Sequence, residues 1–507
     1  MIAARLYWVS KVNLDKNRQS QKREKNQQNK INQKGNAMSD EMKEQKNINE
    51  ELAASQEKGK PSSEKKITRK QALKYIGYGT GGILVAGGAG FYGYRKSLQV
   101  SSSEAAQVRK AKFVVAGGSI GGLTVAARLL RAVPDADITI IEPREEHHYQ
   151  AGYTLVGAGV YNRSDVVFEQ ESLFLPGMKW VKDYVEAFEP ERNRVITRSG
   201  EAIDYDYLVV GLGVDLNLNS VENLAEALKT DYVANIYDLT SSEKYRKLAD
   251  SFEGGKAVFT YPPGYVKCGG APQKITWLSE DLWRNKGIRD KVDVHFHTQR
   301  NSLFPTVPRV DEAVTPLIEA RGIHNHYAST LMAIDISTRT AIFEDVTENG
   351  TVREVRQKYD LLHPMPRFQT PKPLREGPLT REGIGGQLSV NRETLQHTQY
   401  PNIFGVGDNA ATGAAKTAAT IRKQAPVVAG NLIDLVLGYE PSNKYDGASG
   451  CPLLTRYGRC MMFEFDFEGN LIHEWLYRPT QETRIWWDFK VHGLKRLYRH
   501  VMMNGYV

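Results

Sequence analysis

Apolar residues in this chain fall in short unbroken runs bounded by glycine. Lys112-Phe113-Val114-Val115-Ala116 runs into Gly117-Gly118-Ser119-Ile120-Gly121-Gly122. A helical spacing follows from Leu123 to Ala132, then a second run, Ile138-Thr139-Ile140-Ile141, which ends at Glu142. Runs without alternation mark strands buried on both faces, as in a parallel sheet. Tyr205-Asp206-Tyr207-Leu208-Val209-Val210 leads into Gly211-Leu212-Gly213, and Asn402-Ile403-Phe404 leads into Gly405-Val406-Gly407-Asp408. Between them Lys256-Ala257-Val258-Phe259-Thr260 opens a further strand–helix region. The predicted fold class is α/β, with two Rossmann-like units. A dinucleotide-binding domain spans 110–215 and 380–440, and a second unit is inserted at 216–379.

The order strand, glycine turn, helix, strand, acidic residue is that of a dinucleotide-binding unit. Gly117 and Gly122 let the backbone approach a pyrophosphate at the helix N-terminus, and Glu142 accepts from a ribose. Ser119 stands where GxGxxG has its central glycine. The inserted unit departs further. Its first strand runs into Tyr261-Pro262-Pro263-Gly264-Tyr265-Val266-Lys267-Cys268, which holds no glycine nest for a second dinucleotide. This argues against a nicotinamide-dependent enzyme.

Cys268 is instead expected to open a helix, beside Lys267 and Lys274. A thiol at a helix N-terminus near two lysines is expected to have a depressed pKa and to be nucleophilic. The chain has 3 cysteines. With no CxxC and no Cys/His cluster in the sequence, neither a disulfide framework nor a metal site is expected.

Charge is unevenly placed. Residues 1–66 hold 15 Lys/Arg against 9 Asp/Glu, so +6 of the net +8 lies there. That segment is polar and predicted disordered. The rest is too nearly neutral for nucleic-acid binding to be expected. Residues 67–96 pair Thr68-Arg69-Lys70-Gln71-Ala72-Leu73-Lys74 with an uncharged, glycine-rich stretch from Tyr75 to Tyr94. They are expected to act as a twin-arginine-like export signal or as an uncleaved anchor. Residues 441–507 end in Ile485, Trp486, Trp487, Phe489, Val491, Leu494, Leu497, Tyr498 and Val501 at helical spacing. Lys490, Lys495, Arg496 and Arg499 interleave with them, a pattern expected at a membrane interface.

Together the segments resemble sulfide:quinone oxidoreductases of the mitochondrial type and their bacterial relatives, within the glutathione-reductase-like flavoproteins. The resemblance runs through His148-Tyr149-Gln150, Lys267-Cys268-Gly269-Gly270-Ala271-Pro272-Gln273-Lys274, Gly407-Asp408, Lys416-Thr417-Ala418-Ala419 and Cys451-Pro452-Leu453. It implies FAD held by Gly117, Ser119, Gly122, Glu142, Gln150, Gly213, Gly407, Asp408, Lys416 and Thr417. It also implies catalysis by Cys268 with Lys274, sulfide as reductant, a small sulfur acceptor, and quinone as oxidant. Attachment to a membrane surface follows from the same likeness, and a homo-oligomer is compatible with it. The export-like segment adds the expectation that the folded part faces the periplasm or the intermembrane side. His363-Pro364-Met365-Pro366 is similar to a strand end near the quinone. The family's second redox cysteine follows the Gly-Asp strand, where this chain has Asn409. That substitution leaves open the alternative of a flavoprotein without turnover, and the export-like segment leaves open a flavin subunit that passes electrons to cytochrome c.

Overall fold

The computed structural model describes residues 100–474 and 477–506. The tail and signal-or-anchor expectations for residues 1–96 lie outside them. The chain enters through β1 (Lys112–Ala116), α1 (Ile120–Ala132) and β2 (Asp137–Ile141), followed by β3 (Met178–Val181) and β4 (Tyr207–Val210). β1 is buried at every position but its first, which accounts for the missing alternation.

Asp215–Asn217 then carries the chain into a second unit. That unit holds β5 (Gly255–Tyr261), α2 (Ala271–Asn285), β6 (Val292–Thr298) and β7 (His324–His326). An antiparallel flap, β8 (Ser329–Asp335), β9 (Thr340–Val346) and β10 (Val352–Lys358), precedes β11 (Leu361–His363). The chain returns through Arg367–Gln369, which pairs antiparallel with the outgoing Asp215–Asn217. β12 (Ile403–Gly405), α3 (Ala418–Val436), β13 (Ser449–Arg456) and β14 (Arg459–Phe465) follow.

Two all-parallel sheets organise the molecule, in the orders β12-β4-β1-β2-β3 and β7-β6-β5-β11. The carboxyl ends of β1, β4 and β12 therefore lie side by side, although some 290 residues separate them in sequence. α1 and α3 pack against each other over this sheet. In the second unit Trp277, Trp283 and Tyr245 are fully buried. Each contributes about 2–3 kcal/mol through the apolar surface it removes from water.

Three sequence expectations change. First, the helix after the cysteine loop starts at Ala271 with Gly270 as its N-cap, so Cys268 sits in the preceding turn. Second, residues 484–502 do form a helix, with π turns at Phe489–Gly493 and Tyr498–Met502. Its Trp487, Val491 and Tyr498, however, are buried in the protein core. Helical apolar spacing alone does not separate a core-facing stripe from a lipid-facing one. Lys490 is buried too, donating to the Ala151 carbonyl at 2.9 Å. Third, histidines do cluster. The pairing of β6 with β7 brings His295, His297 and His326 together, which their positions along the chain do not reveal. Among the described residues no helix is long and apolar enough to cross a membrane.

Candidate active site

The first glycine turn is built by close approach. A Cβ on Gly117 would lie 2.5 Å from the Gly211 carbonyl, and one on Gly122 would lie 2.0 Å from the Gly117 carbonyl. Only glycine fits where strand turn, helix and neighbouring strand meet this closely. Gly117 also has φ +107°, a conformation other residues rarely adopt. Gly118 N donates to Glu142 Oε2 at 2.9 Å, and Arg144 N donates to Glu142 Oε1 at 3.0 Å, so this buried carboxylate is fixed beside the turn. Ser119 is the N-cap of α1, but its side chain makes no capping bond. The first amides of α1 are therefore not satisfied from that hydroxyl, and they are oriented to receive an anion.

Gly213 and Gly407 sit at the ends of β4 and β12. Gly407 N donates to Gln424 Oε1 at 2.8 Å, and Gly213 N donates to Asn409 Oδ1 at 2.9 Å. Asn409 Nδ2 donates in turn to the Val210 carbonyl at 3.0 Å. Asn409 is 0% exposed. The position that holds the second redox thiol in the resemblance is thus a buried amide tying β4 to the β12 turn. A thiol can reproduce at most one of those bonds.

The cysteine loop is strapped onto the start of α3. Cys268 N donates to the Lys416 carbonyl at 2.8 Å, and Lys267 bridges Lys416 as a short parallel ladder. Lys267 Nζ donates to Gln150 Oε1 at 2.5 Å. Gln150, Lys267, Cys268 and Lys416 therefore meet at one place, and Asp408 acts electrostatically on both lysines. Desolvation raises the Asp408 carboxyl above the ordinary range, with Lys267 and Lys416 opposing it. Burial lowers the Lys416 ammonium to about 8, and Asp408 pulls the other way. Thr417 is the N-cap of α3: its Oγ1 accepts from Thr420 N at 3.1 Å.

Cys268 is half-buried at φ +54°. A non-glycine residue held there costs of order 1–3 kcal/mol, a strain concentrated at functional sites. The Lys274 ammonium, 3% exposed, donates to Cys268 Sγ at 3.5 Å. Burial works against that charge, but Cys268, Cys451 and Cys460 outweigh it and raise its proton affinity. The Lys274 charge also acts on the Cys451 thiol, opposing the effect of burial there. A Cβ on Gly270 would lie 3.0 Å from Cys451 Sγ. All three cysteines are free thiols, and they converge on this one ammonium. Burial pushes Cys460 up to about 12 and raises Cys451, while it lowers Lys490 to about 8.

Sequence reasoning missed this convergence. Cys451 and Cys460 occupy β13 and β14, and the contact of α2 with β13 brings them in. The Lys490 contribution was legible only as helical phase, since Lys490 falls beside Trp487 and Val491. Where a second glycine nest would lie, Arg300 stacks 4.0 Å over the Tyr261 ring, and a Cβ on Gly269 would meet the Tyr261 hydroxyl at 3.1 Å. His363 is fully buried against Phe259 and Tyr245.

No family model matches the sequence. The mitochondrial sulfide:quinone oxidoreductase of Dictyostelium discoideum is 40% identical over 396 residues, 78% of this chain and 86% of that protein. This chain belongs to the sulfide:quinone oxidoreductase family. The mouse mitochondrial sulfide:quinone oxidoreductase is 33% identical, over 78% of this chain and 86% of its own length. Among solved structures, the sulfide:quinone oxidoreductase of Aquifex aeolicus superposes with a TM-score of 0.67 at 24% identity, covering 78% of this chain and 92% of that one. A chain of the Tetrahymena thermophila mitochondrial ATP synthase tetramer superposes with a TM-score of 0.68 at 20% identity, over 78% of this chain and 96% of that one. These two likenesses establish shared architecture.

Proposed function

We propose that this protein oxidises sulfide to persulfide or polysulfide sulfur at Cys268, using bound FAD and delivering the electrons to a quinone. The observation that carries the reading is the strained, half-buried Cys268 with the Lys274 ammonium 3.5 Å from its sulfur. When bound, FAD supplies a two-electron acceptor between sulfur and quinone. The protein's glycine turn fits its pyrophosphate: Gly117 and Gly122 leave no room for a Cβ, and Ser119 leaves the first amides of α1 uncapped. Glu142 would orient the ribose, and Asp408 with Lys416 would border the flavin end.

Lys274 keeps its positive charge in a buried site and holds it 3.5 Å from the Cys268 sulfur, where an incoming HS⁻ is attracted. The sulfur of HS⁻ bonds to Cys268 Sγ as a persulfide. The two electrons released in that oxidation end on the quinone, which takes up two protons to become a quinol. A small nucleophilic acceptor then removes the outer sulfur and returns Cys268 to its thiolate. Because Asn409 is a structural tie, the cycle relies on the half-buried Cys268 thiol without a second thiol at position 409. The names of the curated relatives support quinone over cytochrome c as acceptor.

Membrane attachment belongs to the same proposal. Ile485 is 70% exposed, Trp486 and Phe489 are half-buried, and Arg496, Arg499 and His500 are exposed along the C-terminal helix. Apolar and aromatic side chains beside cations suit a lipid headgroup layer, from which a quinone is drawn.

The test is anaerobic mixing of the flavin-loaded protein with sulfide and, separately, NADH, followed by decylubiquinone or cytochrome c. Sulfide should bleach the flavin, NADH should not, and the quinone should restore the colour. Bleaching by sulfide that survives in Cys268→Ala would remove the proposed mechanism.

A further inference from the structure

β6 and β7 run parallel in the register His295↔His324, Phe296↔Asn325, His297↔His326. Side chains alternate along a strand, so all four histidines project from one face of the sheet. Two His-x-His pairs, separated by a helix in sequence, thus become a two-by-two array. A ring nitrogen from each of His295, His297 and His326 lies within 4.8 Å of the others. His295 Nδ1 and His326 Nε2 are 2.9 Å apart.

Two of the outer nitrogens face a polar neighbour. Asp293 Oδ2 lies 2.9 Å from His295 Nε2 without the alignment of a hydrogen bond, while His295 Nδ1 faces His326 Nε2. Ser329 Oγ on β8 lies 2.8 Å from His297 Nδ1, which leaves Nε2 free. His297 is 1% exposed, and its Nε2 has no partner. A buried, unpaired ring nitrogen has an energetic cost that its surroundings do not offset. Carboxylate or hydroxyl on one imidazole nitrogen and an open lone pair on the other is the arrangement of metal-ligating histidine. The buried Oδ1 of Asp345 on β9 is also unpartnered, and Asp345 attracts positive charge at His326.

We propose that His295, His297 and His326 form a binding site for one divalent first-row transition metal ion, with Asp293 and Ser329 orienting the rings. An all-imidazole donor set selects zinc, copper, nickel or cobalt over calcium or magnesium. Tetrahedral zinc with Zn–N bonds of 2.0–2.1 Å spaces its nitrogens roughly 3.3 Å apart. The His297 and His326 rings stack at 4.1 Å and 12°, so binding requires these rings to turn until their in-plane lone pairs meet at the ion. His326 is half-buried on an edge strand, which provides the entry path. The ion joins the parallel sheet to the antiparallel flap through Ser329. His297 pairs with Thr260, at the end of β5 that leads into the cysteine loop.

The probe is Zn²⁺ added to the chelator-stripped, flavin-loaded protein. Metal analysis after gel filtration should find one zinc per chain, and the melting temperature should rise with zinc. Cys268→Ala should bind the same equivalent, which separates this site from the thiols. His324→Gln should also retain it, whereas His326→Gln and the pair His295→Gln/His326→Gln should lose it while sulfide still bleaches their flavin. Co²⁺ should give the visible bands of tetrahedral nitrogen ligation without a thiolate band. Less than half an equivalent of zinc in the native chain, or undiminished zinc in a folded His326→Gln, overturns the site.

Discussion

Replacing Asn409 probes the residue that distinguishes this chain from the redox pattern it resembles. The amide accepts from Gly213 N at 2.9 Å and donates to the Val210 carbonyl at 3.0 Å, in a site with no solvent access. Asn409→Ala removes both bonds and leaves two backbone groups unpaired, at about 1–2 kcal/mol each, for a total of about 2–4 kcal/mol. Asn409→Asp keeps the bond from Gly213 N but sets a carboxylate oxygen against the Val210 carbonyl. It should be the more damaging of the two, because a buried charge is then unpaired. Asn409→Cys, which restores the family's thiol, should destabilise about as much as alanine. Chemical denaturation of the flavin-loaded proteins, read by tryptophan fluorescence, should give the order native, then Cys and Ala, then Asp. Sulfide should still bleach the flavin of Asn409→Ala. A denaturation midpoint for Asn409→Ala equal to that of the native chain would refute the structural role. So would complete loss of sulfide-dependent bleaching in a folded Asn409→Ala.

Four further outcomes are expected. Lys274→Met should slow sulfide bleaching by at least tenfold in stopped-flow mixing while leaving flavin content intact, since the ammonium touches Cys268 Sγ but not the glycine turn; an unchanged rate counts against its role. Gly122→Ala forces a Cβ to within 2.0 Å of the Gly117 carbonyl, so purified protein should carry little flavin, measurable by its absorbance ratio. Burial holds His147 at about 4 and His363 at about 3, so the unfolded chain binds more protons below its own histidine pKa. Each therefore removes up to about 1.4 kcal/mol of stability per pH unit as pH falls from about 6.5 toward 4; His363→Phe should flatten that slope between pH 7 and pH 5 by roughly one proton's worth. Ile485→Asp with Trp486→Asp should reduce co-sedimentation with anionic vesicles without altering sulfide bleaching; undiminished sedimentation contradicts the interface.

The sequence alone determined the parallel α/β architecture, because strands buried on both faces must be continuously apolar and glycine must stand where backbones touch. Lys112–Ala116, Tyr207–Val210 and Ile403–Gly405 were legible for that reason. Cys268 was legible through its neighbours, although its place in a strained turn before Ala271 was not. Tertiary structure decided everything that depends on which strands lie side by side. It brought Cys451 and Cys460 to Lys274, set His295 and His297 beside His326, and made Asn409 a tie across β4. It also divided the C-terminal stripe between core and surface: Tyr498 hydrogen-bonds His147 inside, while Ile485 faces out. Local propensity and burial pattern are properties of neighbours in sequence. Convergence of polar groups across sheets is set by strand order and register, which no local pattern encodes.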